Sequence, residues 1–211
     1  MEPFIRNEQY NFINAQIKNQ INGHLSVNDI DVLNALKSLT KEKVLNLFSE
    51  LSTEQKRLLS EIIQVKDKAG AEEYLSTIHP YVIPFKQVSE QTIKKLFPKV
   101  KKMRLPSIEE LDFKALSYLG WNDKGTNRKY IIVPHENKLI GIQGKFNHSS
   151  HKGICTICNK HEEVGLFTSE KKGAVLGTFI QRGNYICEDS QTCNKNIMNL
   201  EKLNDFVLTV K

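Results

Sequence analysis

The four cysteines of this 211-residue chain are its most constraining feature, because all of them lie between positions 155 and 193. They form two pairs, a C-x-x-C and a wider pair. Two such pairs supply four soft sulfur ligands, the usual set for a tetrahedral structural zinc site. We therefore predict one structural Zn²⁺, held by Cys155, Cys158, Cys187 and Cys193.

Other uses of these cysteines fit the sequence less well. A redox C-x-x-C normally begins a helix in a thioredoxin-like βαβ unit, whereas this one lies between predicted strands. Disulfides would suit a small exported domain. Three nearby histidines are able to replace one sulfur, but four cysteines are sufficient and we expect surface histidines. These are His148, His151 and His161.

Composition indicates a protein of the cytoplasm. The hydrophobic fraction of 39% supports a packed core, and the 26% of charged residues keeps the surface soluble. No stretch approaches the roughly 18 apolar residues of a membrane span. The N-terminus lacks the basic lead and apolar run of a secretion signal. We expect a cytoplasmic location, without a membrane or a small-molecule substrate as partner.

Charge is unevenly distributed along the chain. Residues 1–79 hold 9 Lys and Arg against 11 Asp and Glu, a net of −2, and residues 80–211 hold 21 against 13, a net of +8. A basic half suggests an acidic partner such as nucleic acid, the ribosome or an acidic protein face. A solvated helix face explains its densest basic run equally well. That run is Lys94, Lys95, Lys99, Lys101, Lys102 and Arg104.

The first part of the chain has helical periodicity throughout. Tyr10, Ile13, Ile17 and Ile21 share one helical face. Polar residues that can cap free backbone N–H groups mark the predicted starts of further helices. These starts are Ser26 with Asp29, Thr40, and Ser52 with Gln55, and a fifth helix is predicted from Ala71 to Ile78.

Two prolines in positions 79–84 end the helical pattern, since both cannot lie inside one helix. We place the domain boundary there, giving a helical bundle at 1–79 and a zinc-binding domain at 83–211. The predicted fold class is α+β, an N-terminal antiparallel helical bundle followed by a mixed α/β domain with a four-cysteine zinc finger. Its predicted elements are a helix at Ser89–Phe97, strands at Lys129–Val133, Leu139–Phe146, Glu163–Phe167 and Val175–Gln181, and a closing helix at Asn196–Val210.

Motifs for catalysis are missing from the sequence. It has no P-loop, no H-E-x-x-H and no G-x-S-x-G pattern. Adjacent acidic pairs, Glu109-Glu110 and Glu162-Glu163, are better explained as solvated residues. A four-sulfur zinc site also leaves no open position for water or substrate. We therefore predict a protein that binds and not an enzyme.

Several sequence blocks resemble the fusidic-acid-resistance (FusB-type) family of elongation factor G-binding proteins, over essentially the whole chain. The blocks are Tyr118-Leu119-Gly120-Trp121-Asn122, Thr126-Asn127-Arg128-Lys129-Tyr130-Ile131-Ile132, the stretch from Lys152 to Lys160, and Tyr185-Ile186-Cys187-Glu188-Asp189-Ser190 leading to Cys193-Asn194-Lys195.

This resemblance implies a function in translation. Members bind elongation factor G, chiefly through the zinc-containing domain, and help to release it from ribosomes on which fusidic acid has trapped it. The resemblance places the interface on the zinc lobe, meaning the part of the second domain around the four cysteines. The interface includes Ile154, Arg182 and Tyr185. It also implies an aromatic residue at 154 and a lysine at 182, so this chain departs from the family at both. The alternative is a zinc-ribbon-like protein that binds RNA or the ribosome, as the +8 half suggests.

Overall fold

The chain forms two compact units, Met1–Ile83 and Pro84–Lys211. The structure is a computed structural model that describes residues 1–100, 102–173 and 178–210. Helices make up the first unit, whereas the second combines helices with an antiparallel sheet. The predicted α+β fold class is therefore confirmed.

Four α-helices and two short 3-10 helices form the first unit. Ile13 and Ile17 lie fully buried on the inner face of the first helix, where the sequence period places them. An isolated bridge between Ile5 and Val82 joins the two ends of the unit. The helices are α1 (Asn7–Ser26), α2 (Ile30–Leu45), α3 (Thr53–Ser60) and α4 (Lys68–Ile78), with 3-10 turns at Glu61–Gln64 and His79–Tyr81.

Two of the predicted helix starts in this unit are wrong. Ser26 lies in the last turn of α1, where its hydroxyl donates to the Asn22 carbonyl at 2.7 Å. Asp29 alone caps α2, accepting from the backbone N–H groups of Asp31 and Val32. Thr40 lies inside α2 and is buried, so burial of the helix face outweighs the local preference of threonine for a cap.

The predicted capping box at Ser52 and Gln55 is confirmed. The Gln55 backbone N–H donates to the Ser52 hydroxyl at 3.2 Å, and the Ser52 N–H donates to the Gln55 side-chain oxygen at 2.8 Å. The two side chains thus satisfy two backbone donors that a helix start otherwise leaves without partners.

A five-stranded antiparallel meander forms the centre of the second unit, with the strands in chain order across the sheet. Over the residues that the structure describes, one α-helix and two 3-10 turns precede the sheet and two α-helices follow it. The strands are β1 (Leu119–Asp123), β2 (Arg128–His135), β3 (Lys138–Ile154), β4 (His161–Lys172) and β5 (Phe179–Cys187), and the helices are α5 (Glu90–Leu96), α6 (Ser190–Asn196) and α7 (Glu201–Val210).

Both faces of the sheet are covered by side chains. On β2, Tyr130 and Ile132 face a cluster that contains Phe97 of the α5 segment. Ile131 and Val133, which alternate with them, face a second cluster with the four cysteines and α7. Because successive strand residues point to opposite faces, a strand covered on both sides is apolar at every position.

Three predicted elements of this unit need correction. The strand β1 was not predicted, since Leu119–Asp123 contains glycine, asparagine and aspartate and becomes a strand by pairing with β2. The predicted helix at Asn196–Val210 is interrupted, because Ile197 has extended backbone angles and α7 begins at Glu201, whose N–H donates to the Asn199 side-chain oxygen. The strand predicted at Val175–Gln181 falls partly on residues 174–177, outside the described residues, and β5 continues to Cys187.

Among the described residues, no helix has the length and apolar character needed to cross a membrane.

Candidate metal centre

Three separate elements bring the four cysteine sulfurs together. Cys155 and Cys158 lie in the turn between β3 and β4, Cys187 ends β5, and Cys193 lies in α6. All four side chains are buried, and the four sulfur atoms lie within 4.8 Å of one another. They form the only cluster of metal-ligand side chains within the part of the chain that the structure describes.

The spacing of the sulfurs fits a tetrahedral metal site. The Sγ atoms of Cys155 and Cys193 are 3.8 Å apart, and those of Cys158 and Cys187 are 3.6 Å apart. Zinc–sulfur bonds of about 2.3 Å in a tetrahedron place the sulfurs about 3.8 Å apart. A disulfide would require about 2.05 Å, and all four cysteines are free. The donor set therefore suits one four-coordinate zinc ion.

Backbone hydrogen bonds hold the turn that carries the first pair. The Cys155 N–H donates to the Lys160 carbonyl at 3.0 Å, and the Asn159 N–H donates to the Cys155 carbonyl at 2.9 Å. Asn159 has a φ of 54°, a conformation that asparagine tolerates better than most residues. The Cys187 N–H donates to the Cys155 sulfur at 3.3 Å, which joins the end of β5 to this turn.

The thiols influence one another strongly. Hydrogen bonds from the other three sulfurs, that from Cys158 the largest, hold the pKa of Cys155 far below its usual range. The pKa of Cys193 is raised, first by its contact with Cys155. One thiolate in so small a space therefore opposes ionisation of the next, and a cation among them allows all four to ionise.

A buried lysine lies beside the cysteine cluster. Lys129 is fully buried in β2, and its ammonium group donates to Asn122 Oδ1 at 3.0 Å and to the Glu188 carbonyl at 2.9 Å. The ammonium also lies 4.9 Å from the centre of the Phe146 ring. Burial lowers the pKa of Lys129 to about 8, although the nearby cysteines oppose the shift. This cation offsets part of the negative charge of a four-thiolate site.

Two side chains fix the helix that carries Cys193. Asp189 accepts from the backbone of Gln191 and Thr192 at the start of α6. Asn194 is buried, and its Oδ1 accepts from the Ser117 and Tyr118 N–H groups at 2.7 and 3.1 Å. The Asn194 Nδ2 donates to the Tyr118 and Ser190 carbonyls, both at 2.9 Å. The amide thus ties α6 to the chain that leads into β1.

Ile154 ends β3, whereas Arg182 and Tyr185 lie on β5. Ile154 and Tyr185 are 58% and 53% exposed, and the Thr156 N–H donates to the Tyr185 carbonyl at 2.8 Å. Arg182 donates from Nη1 to the Thr209 carbonyl of α7 at 2.8 Å. Since Arg182 and Tyr185 are three positions apart on one strand, their side chains point to opposite sheet faces.

The nearby histidines lie outside the cysteine cluster. His148 pairs with Glu188 at 3.3 Å and contacts the edge of Phe146. His151 and His161 are exposed. The metal-ligand cluster, over the described residues, contains cysteines alone.

Lys129 and Asn194 were not predicted from the sequence as parts of this site. The signal for Lys129 was its position directly before the apolar run Tyr130–Val133, on the same strand face as Ile131. A lysine on a buried strand face indicates a polar partner. Asn194 directly follows a cysteine, and no sequence pattern distinguishes it from a surface asparagine.

Comparison with known proteins agrees with this geometry. The family model described as "Elongation factor G-binding protein, N-terminal" matches residues 4–86. The family model described as "FBP C-terminal treble-clef zinc-finger" matches residues 95–207. A solved structure described as "Structure of the fusidic acid resistance protein FusC" aligns with a TM-score of 0.87 and 30% identity, covering 98% of this chain and 97% of that one. No curated protein matched the sequence.

The fold and the cysteine cluster define a treble-clef zinc-finger protein with one structural zinc. The chain belongs to the fusidic-acid-resistance (FusB-type) family of elongation factor G-binding proteins.

Proposed function

We propose that this protein binds elongation factor G and promotes its release from the ribosome, relieving inhibition of translation by fusidic acid. The observation that carries the proposal is that family models match both units, 4–86 and 95–207. The similarity to FusC over 98% of the chain supports it further. This partner would place the protein in the cytoplasm, with the ribosome as a further contact.

Cys155, Cys158, Cys187 and Cys193 are the proposed zinc ligands. Their mutual distances, their burial and their positions on three separate elements support this assignment. Four sulfur ligands complete a tetrahedral zinc site and leave no position for water or substrate. The ion therefore stabilises the lobe, and the protein acts by binding without chemistry on the drug.

Tyr185 and Ile154 are proposed as anchors for the factor. Both side chains are more than half exposed, although large apolar and aromatic side chains are usually buried in a folded protein. The Thr156–Tyr185 hydrogen bond holds the strands that carry them beside the zinc turn. Anchors held in place before binding lose little conformational entropy on docking. Arg182 is proposed to contribute from the α7 face of β5.

Release requires a difference in affinity between two states of the factor. A binder shifts a trapped factor towards release only when it favours the released or distorted state over the locked state. The +8 charge of residues 80–211 would accelerate encounter with an acidic factor, while the anchors would slow dissociation.

Isothermal titration calorimetry with purified elongation factor G tests the interface. Tyr185→Ala and Ile154→Ala should each weaken binding by about tenfold or more, because each removes an exposed anchor. Leu25→Ala is the matched control, since Leu25 is 81% exposed on α1 of the first unit, and it should bind as the parent does. Unchanged binding by the Tyr185→Ala/Ile154→Ala double variant would show that the interface lies elsewhere.

A ribosome-pelleting assay tests release. Elongation factor G is locked on ribosomes with GTP and fusidic acid, and the factor in the supernatant is measured after the protein is added. We expect the parent protein to move the factor into the supernatant, and the double variant to leave it in the pellet. A parent protein that binds the free factor but leaves the locked fraction unchanged would contradict the release mechanism.

A further inference from the structure

A row of exposed cations follows α5 in the second unit. Lys95, Lys99, Lys102 and Arg104 are all exposed. The apolar residues between them face inwards, with Phe97 buried and Val100 and Met103 packed against the same cluster. Lys94 pairs with Glu90 at 3.4 Å, but among the described residues these four cations form no ion pair with a carboxylate.

The row continues onto the sheet. The Trp121 indole N–H donates to the Arg104 carbonyl at 2.9 Å. Arg104 lies beside Gly125, in the turn between β1 and β2. A Cβ atom added at Gly125 would be 3.8 Å from the guanidinium carbon of Arg104. This turn also carries exposed Lys124.

Two more cations extend the row across β2 and β3. Arg128 lies directly opposite Lys145 in the sheet register, so their side chains share one face. Both line a small cavity of about 190 Å³ that also includes Glu170. The Glu170 carboxylate accepts from Gln181 at 3.4 Å, and within the described part of the chain neither cation forms an ion pair.

Such an arrangement costs stability, because like charges on neighbouring elements repel one another. The proposed zinc lobe does not use these residues. A polyanion would remove the repulsion and gain the free energy of counterion release.

We propose that this basic track, defined as Lys95, Lys99, Lys102, Arg104, Lys124, Arg128 and Lys145, binds the phosphate backbone of duplex RNA. Arginine and lysine side chains on neighbouring elements suit phosphate groups repeated along a helix, and arginine binds phosphate oxygens through two N–H groups at once. The proposal does not depend on the proposed function.

The rings beneath the track indicate duplex RNA in preference to single strands. Single-strand binders stack bases on exposed aromatic side chains. Here Phe97, Trp121 and Tyr130 are buried and contact one another, with Trp121 and Tyr130 stacked at 5.2 Å. The rings belong to the core, which leaves the charged groups to make the contacts.

Fluorescence anisotropy with a labelled 16-base-pair RNA duplex tests the track over a range of salt concentrations. The variant Lys99→Gln/Lys102→Gln/Lys145→Gln should bind about tenfold or more weakly, and its slope of log affinity against log salt should fall by about three. The matched control Lys138→Gln/Lys195→Gln/Lys202→Gln removes the same charge from exposed positions at the start of β3 and on two helices. It should keep the parent slope.

Binding to elongation factor G, measured on the same variants, separates this proposal from the proposed function. We expect the track variant to bind the factor within about threefold of the parent, because lost charge slows encounter while the anchors still set dissociation. Its melting temperature should be equal to or above that of the parent, because repulsion between the cations is reduced. Equal loss of RNA binding in the two variants would overturn the proposal, as would a parent protein without affinity for the duplex. Loss of factor binding with retained RNA binding would assign the track to an acidic protein face and also overturn it.

Discussion

Lys129 illustrates how the setting of one residue determines its contribution. Its side chain is fully buried, and burial lowers its pKa to about 8. The ammonium group nevertheless has two oxygen partners and an aromatic ring around it. Buried charges persist in proteins only where such partners replace water. We infer that Lys129 stabilises the zinc lobe from the sheet side.

The substitution Lys129→Met tests this contribution. It should lower the free energy of unfolding of the second unit by about 2 kcal/mol or more, because Asn122 Oδ1 and the Glu188 carbonyl lose a buried donor. Urea unfolding followed by the fluorescence of Trp121, the one tryptophan in the chain, measures it. Lys124→Met, on the exposed turn of the same hairpin, should change stability by less than about 0.5 kcal/mol. Equal effects would show that burial of Lys129 is unimportant.

At the scale of elements, α6 joins the metal centre to the sheet. It carries Cys193, and Asn194 binds it to the chain entering β1 through three hydrogen bonds, while a fourth joins Asn194 to Ser190 within α6. These bonds use both donors and both acceptor positions of one amide group.

Asn194→Ala should destabilise the second unit by about 2–4 kcal/mol, since it leaves buried backbone groups without partners. Asn196→Ala is a suitable comparison, because Asn196 makes one bond to Glu162 at 2.9 Å in a partly buried setting and should cost less than about 1 kcal/mol. Thermal unfolding monitored by circular dichroism would distinguish the two. A comparable loss of stability in both would contradict the role given to Asn194.

The packing of β4 against β3 depends on a close approach at Gly165. A side chain there would lie against the Phe146 ring and 2.8 Å from the Asn147 carbonyl. At Gly183 of β5, an added Cβ atom would lie 3.3 Å from Leu166 and 3.5 Å from the Phe167 carbonyl. Small movements of these neighbours would accommodate it.

Gly165→Ala should therefore cost about 1–3 kcal/mol through overpacking, whereas Gly183→Ala should be close to neutral. Chemical denaturation of both variants and the parent measures the difference. If Gly165→Ala is as stable as the parent, the sheet is looser at this crossing than the structure indicates.

The elements also explain what the sequence could and could not predict. Cysteine spacing predicted the metal centre because the ligands of such a site are few and chemically distinctive. Strand β1 escaped prediction because five residues with Gly120 and Asn122 have little strand pattern of their own. The opposite orientations of Arg182 and Tyr185 follow from strand alternation, but only after the extent of β5 is known.

At the scale of the whole molecule, the sequence predicted the α+β class, since helical and strand periodicities occupy separate halves of the chain. The predicted division at 79–83 relied on Pro80 and Pro84. In the structure, His79–Tyr81 forms a 3-10 turn and Val82 pairs with Ile5, so these residues belong to the first unit. Pro80 and Pro84 correctly indicated where the helices end. They did not indicate the last residue of the first unit.

The proposed function depends on a zinc-clamped lobe that binds a translation factor. The most direct test is calorimetric titration of elongation factor G into one preparation of the protein in three states: zinc-loaded, stripped of zinc by chelation and dialysis, and reloaded. We expect one zinc per chain, a loss of affinity of about 100-fold or more on stripping, and recovery on reloading, because zinc stabilises the lobe by several kcal/mol. Equal affinity in all three states would contradict the account.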